Sequence, residues 1–132
     1  MIVPFKGLPG DTGDWTRPVL DVAVAEMEDT SVACLVDSGA LNTLLPRWLA
    51  DAAGLAMAGA DHHTLAVAAT TTRAAFVTTG LNVGGHTWEA QVGFCDPWPY
   101  GWGLLGQLSF FRSFTVTFRT ADFELEIEPV RR

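Results

Sequence analysis

The chain has 132 residues, enough for one domain with a core of its own. Apolar residues make up 48% and charged residues 17%, which excludes a disordered chain. The net charge is −7 and the basic residues are scattered, Arg131-Arg132 being the one adjacent pair, so no basic face exists for nucleic acid.

Met1 to Lys6 lacks the apolar stretch of a signal peptide, and no apolar run approaches bilayer length. The expected compartment is the cytoplasm, with no membrane partner. Val19 to Met27 reads as a strand, followed by the polar turn Glu28-Asp29-Thr30-Ser31. Val32 to Val36 is a continuous apolar run and reads as a buried strand. It stops abruptly at Asp37-Ser38-Gly39-Ala40. Thr43 to Leu45 is a short strand, and Pro46 opens a helix through about Ala53, closed by Gly54 as a left-handed cap.

His63 to Val77 suggests two strands with a polar tip at Thr70-Thr71-Thr72. Leu81 to Val83 and Trp88 to Phe94 form a hairpin about Gly84-Gly85. Asp96 to Gly101 is a loop, Leu104-Leu105-Gly106 a short apolar run, and Gln107 to Ser113 a helix of two turns. Phe114 to Arg119 and Phe123 to Glu128 alternate with period two around a turn at Thr120 to Asp122. In the last of these, Phe123, Leu125 and Ile127 are expected inward, with Glu124, Glu126 and Glu128 outward. The pattern predicts one all-β, barrel-like domain over 1–132 with one or two short helices, its core at about 17–128.

Cys34 and Cys95 lie in apolar runs, far apart and without metal-ligand spacing, so both are expected as buried thiols. His62-His63 and His86 are expected in surface turns. Asp11, Asp14 and Asp96 lie beside Gly or Pro, where turn roles suffice. No metal site and no cofactor is expected.

Asp37 carries the chemistry. A carboxylate at the end of a buried strand is costly unless paired or hydrogen-bonded. On the residues Asp37-Ser38-Gly39 alone an ordinary turn is the better explanation. The wider segment, Cys34-Leu35-Val36-Asp37-Ser38-Gly39-Ala40 through Leu44-Leu45-Pro46 and a short helix, resembles the signature of retropepsin-like aspartic peptidases. Leu104-Leu105-Gly106, 67 positions after Asp37, resembles the apolar-apolar-Gly element of the same family, in the right order. The resemblance spans about 17–128.

The resemblance implies a closed acid-protease barrel and hydrolysis of peptide bonds by two aspartates. With one Asp-Ser-Gly sequence per chain, it implies a twofold homodimer that brings Asp37 from each copy to one axis. Ser38, Gly39 and Ala40 would support the catalytic loop, Ser38 by bonding across the dimer. Leu105 and Gly106 would pack beside that loop. A peptide or protein substrate would contact Leu104, Trp102 and a hairpin flap through Thr70, Thr71 and Thr72. Trp98, Tyr100 and Trp102 either wall the cleft or pack beneath the barrel or in the dimer interface. No glycine occurs between Gly59 and Gly80, so the flap is expected to be short or stiff. Leu41 and Gln107 stand where viral members often carry an acidic residue and an arginine, which points to a cellular branch. The strand Phe123 to Glu128 is expected to join a sheet across the dimer. Two further readings remain: the same fold as a peptide-binding or dimerisation module without turnover, and an unrelated small barrel in which Leu104 to Gly106 need not approach Asp37.

Overall fold

The computed structural model describes residues 1–131. Ten strands run in the order β1 Ile2–Pro4, β2 Val19–Val24, β3 Ser31–Val36, β4 Thr43–Pro46, β5 Asp61–Val67, β6 Thr70–Val83, β7 His86–Asp96, β8 Gly103–Leu105, β9 Phe114–Arg119 and β10 Glu124–Pro129. One short helix, α1 Arg47–Ala52, follows β4. Single 3₁₀ turns occupy Ala25–Met27 and Thr120–Asp122. Among the described residues, no helix is long and apolar enough to cross a membrane.

The main sheet runs β2-β3-β8-β4-β7-β6-β5, and β2 also pairs with β6. That second pairing, Ala23 with Asn82 and Val24 with Leu81, closes six strands into a barrel and leaves β5 outside the ring. Closure removes the unpaired edges that an open sheet of this length would expose. The barrel is small enough to be filled by its own side chains. Leu20, Leu45, Leu49, Leu81, Phe94, Leu105 and Phe110 are all nearly or fully buried in one cluster. Each such burial stabilises by about 1.5–3 kcal/mol. β3 is apolar from Val32 to Val36, burying Val32, Cys34 and Val36 on one face and half-burying Ala33 and Leu35 on the other, while β2 is buried except at Asp21.

Local chemistry sets the connections. Gly84 and Gly85 take φ +54° and +86°, the backbone a two-residue hairpin turn needs, and join β6 to β7. Gly54, at φ +66°, ends α1 as the sequence suggests, with Pro46 as the last strand residue before it. A smaller sheet, β1-β10-β9, packs on the barrel through Leu125 and Ile127.

Several expectations change. Phe123 is 62% exposed, not inward, because it adopts φ +54° ahead of the strand and falls out of the alternation. β10 lies between β1 and β9 of its own chain, so its own edges are already paired and the small sheet can be extended only at β1 or β9. Residues Gln107–Phe111 form one wide turn, not a two-turn helix, with the Phe111 N–H reaching the Gly106 carbonyl at 3.3 Å. His62 and His63 sit on β5 and not in a turn. The hairpin expected to turn at Thr70–Thr72 turns instead at Ala68-Ala69, with Thr70 already paired to Val67.

Candidate active site

Asp37 stands where β3 leaves the barrel. Its N–H donates to the Leu105 carbonyl at 3.1 Å, prolonging the parallel ladder that pairs Val36 with Leu105. The chain then turns tightly, the Ala40 N–H returning to the Asp37 carbonyl at 3.1 Å. The Gly39 N–H donates to Asp37 Oδ1 at 2.9 Å, which holds the carboxylate in one orientation. Oδ2 takes no hydrogen bond among the described residues. Asp37 is half-buried, and Ser38 and Gly39 are exposed.

The segment after Asp37 is fastened to the segment after Leu105. The Gln107 N–H donates to the Ala40 carbonyl at 2.9 Å and the Leu108 N–H to the Leu41 carbonyl at 3.0 Å. The Gln107 side chain donates to the Ser38 carbonyl at 2.6 Å. Beneath them Thr43 Oγ1 accepts from the Gly106 N–H at 3.1 Å and from the Ser109 hydroxyl at 2.6 Å. The Trp88 indole N–H donates to the Ser109 carbonyl at 3.0 Å. Gly106 has no room for a side chain: a Cβ there would lie 2.3 Å from the Asn42 carbonyl oxygen. Asp37, Ser38, Gly39, Ala40, Leu105 and Gly106 are thus one assembly, and the reading in which the two sequence elements are unrelated is set aside.

Strand register defines the face on which Asp37 sits. Leu35, Leu104, Leu44, Gly93, Phe76 and Asp61 are paired in succession across β3, β8, β4, β7, β6 and β5. Side chains alternate along a strand, so Asp37 shares the side of Leu35. Leu44, Ala74 and Cys95, with Leu65, Phe76, Trp98 and Leu104 packed on them, form a second apolar cluster on this side. Gly93 makes the floor continuous, because a Cβ there would collide with Leu44 at 2.8 Å and Phe76 at 2.9 Å.

The hairpin of β5 and β6 extends beyond the ring, with Thr70 and Thr71 exposed near its tip. Thr72 differs: it is 2% exposed and its hydroxyl donates to the Pro97 carbonyl at 2.5 Å, pinning the hairpin stem to the loop after β7. Trp98, Tyr100 and Trp102 form an aromatic ladder. Trp98 meets Tyr100 edge-on at 5.5 Å, Tyr100 stacks on Trp102 at 4.5 Å, and the Trp98 indole donates to the Trp102 carbonyl at 2.8 Å. Trp98 packs on the floor of the Asp37 face, and Tyr100 and Trp102 are half-buried.

Both cysteines are buried. Desolvation pushes Cys34 up to about 12 and Cys95 up to about 11, so neither is a thiolate nucleophile. The residues that sequence reasoning missed are Thr43, Ser109 and the Gln107 side chain. The one signal available was the threonine in an otherwise apolar strand, Thr43-Leu44-Leu45-Pro46.

A family model described as aspartyl protease matches residues 13–107. No curated protein is a significant match in sequence. The matched segment runs through the Asp37 loop and ends one residue past Gly106.

Proposed function

The chain belongs to the aspartyl protease family, and on that footing we propose that it is an aspartic endopeptidase, active as a homodimer, with Asp37 as its catalytic residue. The observation that carries the reading is the placement of Asp37: a half-buried carboxylate at the end of β3, one oxygen fixed by the Gly39 N–H and the other without a hydrogen bond among the described residues.

One carboxylate cannot both take a proton from water and hold a protonated partner against the substrate carbonyl. The sequence supplies a single Asp-Ser-Gly, so the second carboxylate is that of another copy. Two carboxyls about 3 Å apart cannot both ionise and so share one proton, titrating as a pair. The ionised member removes a proton from a water molecule as that water attacks the scissile carbonyl. The protonated member donates to the carbonyl oxygen as negative charge develops there. Proton return to the amine leaving group then breaks the C–N bond, with no covalent intermediate.

The rim of the Asp37 loop supports the assembly. Leu41 is 57% and Leu108 41% exposed, and Ser38, Gln107, Leu108, Phe111 and Arg112 line a groove of about 500 Å³. Apolar side chains on a rigid, hydrogen-bonded loop are what a second copy would cover. Thr70 and Thr71 of the hairpin, with Trp102 and Leu104 on the floor side, are the proposed contacts for a substrate lying as an extended strand. Thr72, with its hydroxyl held by Pro97, serves that reading as an anchor of the hairpin.

The test is digestion of a peptide library from about pH 3 to about pH 7 by wild type and Asp37→Asn. A bell-shaped profile that vanishes in the variant is expected. Cleavage that persists in Asp37→Asn removes Asp37 from the chemistry. A dimer that binds peptides and cleaves none at any pH makes the chain a binding module.

A further inference from the structure

The face that carries Asp37 continues away from the catalytic loop into a cleft that the proposed reaction does not use. It holds about 220 Å³ and is lined by Asn42, Asp61, His63, Leu65, Phe76 and Gln91. Its floor is apolar: Leu65 and Phe76 belong to the second cluster, and the His63 ring stands edge-on to Phe76 at 5.6 Å. Its rim is polar. Asn42 and Gln91 bring two carboxamides, and His63 Nε2 lies 2.9 Å from Asp61 Oδ2.

Register ties this cleft to the catalytic face. Asn42 precedes Leu44 by two residues and Gln91 precedes Gly93 by two, so both point to the side of Leu44 and Phe76. The Asn42 backbone is the surface against which Gly106 is pressed, so the cleft wall and the Asp37 loop share one rigid support.

We propose that this cleft selects a substrate side chain with an apolar stem and an uncharged hydrogen-bonding head, glutamine first. The proposal rests on the peptidase reading above. A carboxamide head can donate and accept at once, and so can each rim carboxamide. An aliphatic guest would strip water from Asn42 and Gln91 without replacing its hydrogen bonds. A carboxylate guest would stand beside Asp61. A cationic guest gains little from Asp61, whose side chain is 76% exposed and already bonded to His63. The stem of glutamine, by contrast, covers Leu65 and Phe76.

The experiment uses peptides that differ at one position, scanned outward from the scissile bond, with Gln, Leu, Glu or Lys at that position. Two hydrogen bonds gained on an otherwise similar guest predict about a tenfold preference for Gln over Leu at one position on each side, since the twofold supplies one cleft per half-site. Gln91→Leu, an exposed strand position, is expected to flatten that ratio while cleavage continues. The same peptides are titrated against Asp37→Asn by fluorescence anisotropy, which reads preference without turnover. Preference in binding with no cleavage by wild type sinks the peptidase reading and leaves the cleft as a peptide-recognition site. Equal handling of the Gln and Leu peptides at every position overturns the cleft, as does a preference that survives in the Asn42→Leu/Gln91→Leu double variant. Failure of every peptide to bind Asp37→Asn overturns it as well.

Discussion

Replacing Gly106 by alanine presses a methyl group into the backbone of Asn42. The added carbon would lie 2.3 Å from the Asn42 oxygen, 2.5 Å from its carbonyl carbon and 2.9 Å from its nitrogen. Unstrained carbon contacts need about 3.5–4.0 Å, so relief requires the two segments to part by about 1 Å. The Gly106 backbone is extended, at φ −111° and ψ −178°, a conformation open to any residue, so the effect is purely steric. Parting strains the Gln107–Ala40, Leu108–Leu41 and Gly106–Thr43 hydrogen bonds, now 2.9, 3.0 and 3.1 Å. Overpacking at about 1–3 kcal/mol, plus about 1 kcal/mol for each of the three weakened bonds, totals roughly 4–6 kcal/mol. In a domain of this size that lowers Tm by about 10 °C or more. Asp37 hangs from Leu105, the residue before Gly106, so displacement of that order costs about a hundredfold in kcat/KM. Gly93→Ala is the control. The atoms nearest its new methyl would be the side-chain ends of Leu44 and Phe76, which yield more readily than backbone. Urea and thermal unfolding of both variants measure the difference. Gly106→Ala within about 1 kcal/mol of wild type, or no worse than Gly93→Ala, refutes the reasoning.

Thr43→Val keeps the shape of the side chain but leaves the buried Gly106 N–H and the Ser109 hydroxyl without their acceptor; it should cost about 2–3 kcal/mol in urea unfolding, and adding Ser109→Ala should restore part of that. Leu108→Lys alters an exposed side chain, so protomer stability should change by less than about 0.5 kcal/mol while sedimentation shifts from dimer to monomer and cleavage is lost; a persisting dimer would place the interface elsewhere. Burial raises both thiols above their ordinary 9.0, to about 12 for Cys34 and about 11 for Cys95, so the folded chain holds these protons longer than the unfolded chain. Stability is therefore complete below pH 9 and falls as pH rises through the folded values, by about 1.4 kcal/mol per pH unit per thiol. Cys34→Ala/Cys95→Ala should flatten that slope in alkaline urea titrations, and an unchanged slope would assign it to other groups.

What the sequence makes legible here is whatever is decided locally. Val32 to Val36 is apolar at every position because β3 buries one face and half-buries the other, and the run ends at the half-buried Asp37. Gly54 and the Gly84-Gly85 pair announce left-handed backbone that other residues avoid. The order of the Asp37 and Leu104 to Gly106 elements foretold a contact that the Asp37 N–H to Leu105 bond makes. Features decided by distant partners were hidden. β1 is three residues long, too short to carry a pattern, and exists because β10 pairs with it and the Ile127 carbonyl accepts from the Met1 amino group at 2.9 Å. The wide turn after Gly106 depends on Ser109 being bonded at its hydroxyl by Thr43 and at its carbonyl by Trp88, from two different strands. Thr72 looked like its exposed neighbours Thr70 and Thr71, and only the Pro97 loop folding back buries it. The His63 cleft draws on four separate strands or loops, so no local run of sequence marks it.

A crystal structure of the protein in solution-competent, concentrated form most directly tests the twofold Asp37 pair. The account predicts a symmetric dimer whose two Asp37 carboxyls approach to about 3 Å, each still fastened to its own Gly39 N–H. Carboxyls held apart in every assembly, with the Leu108 rim facing solvent, would contradict it.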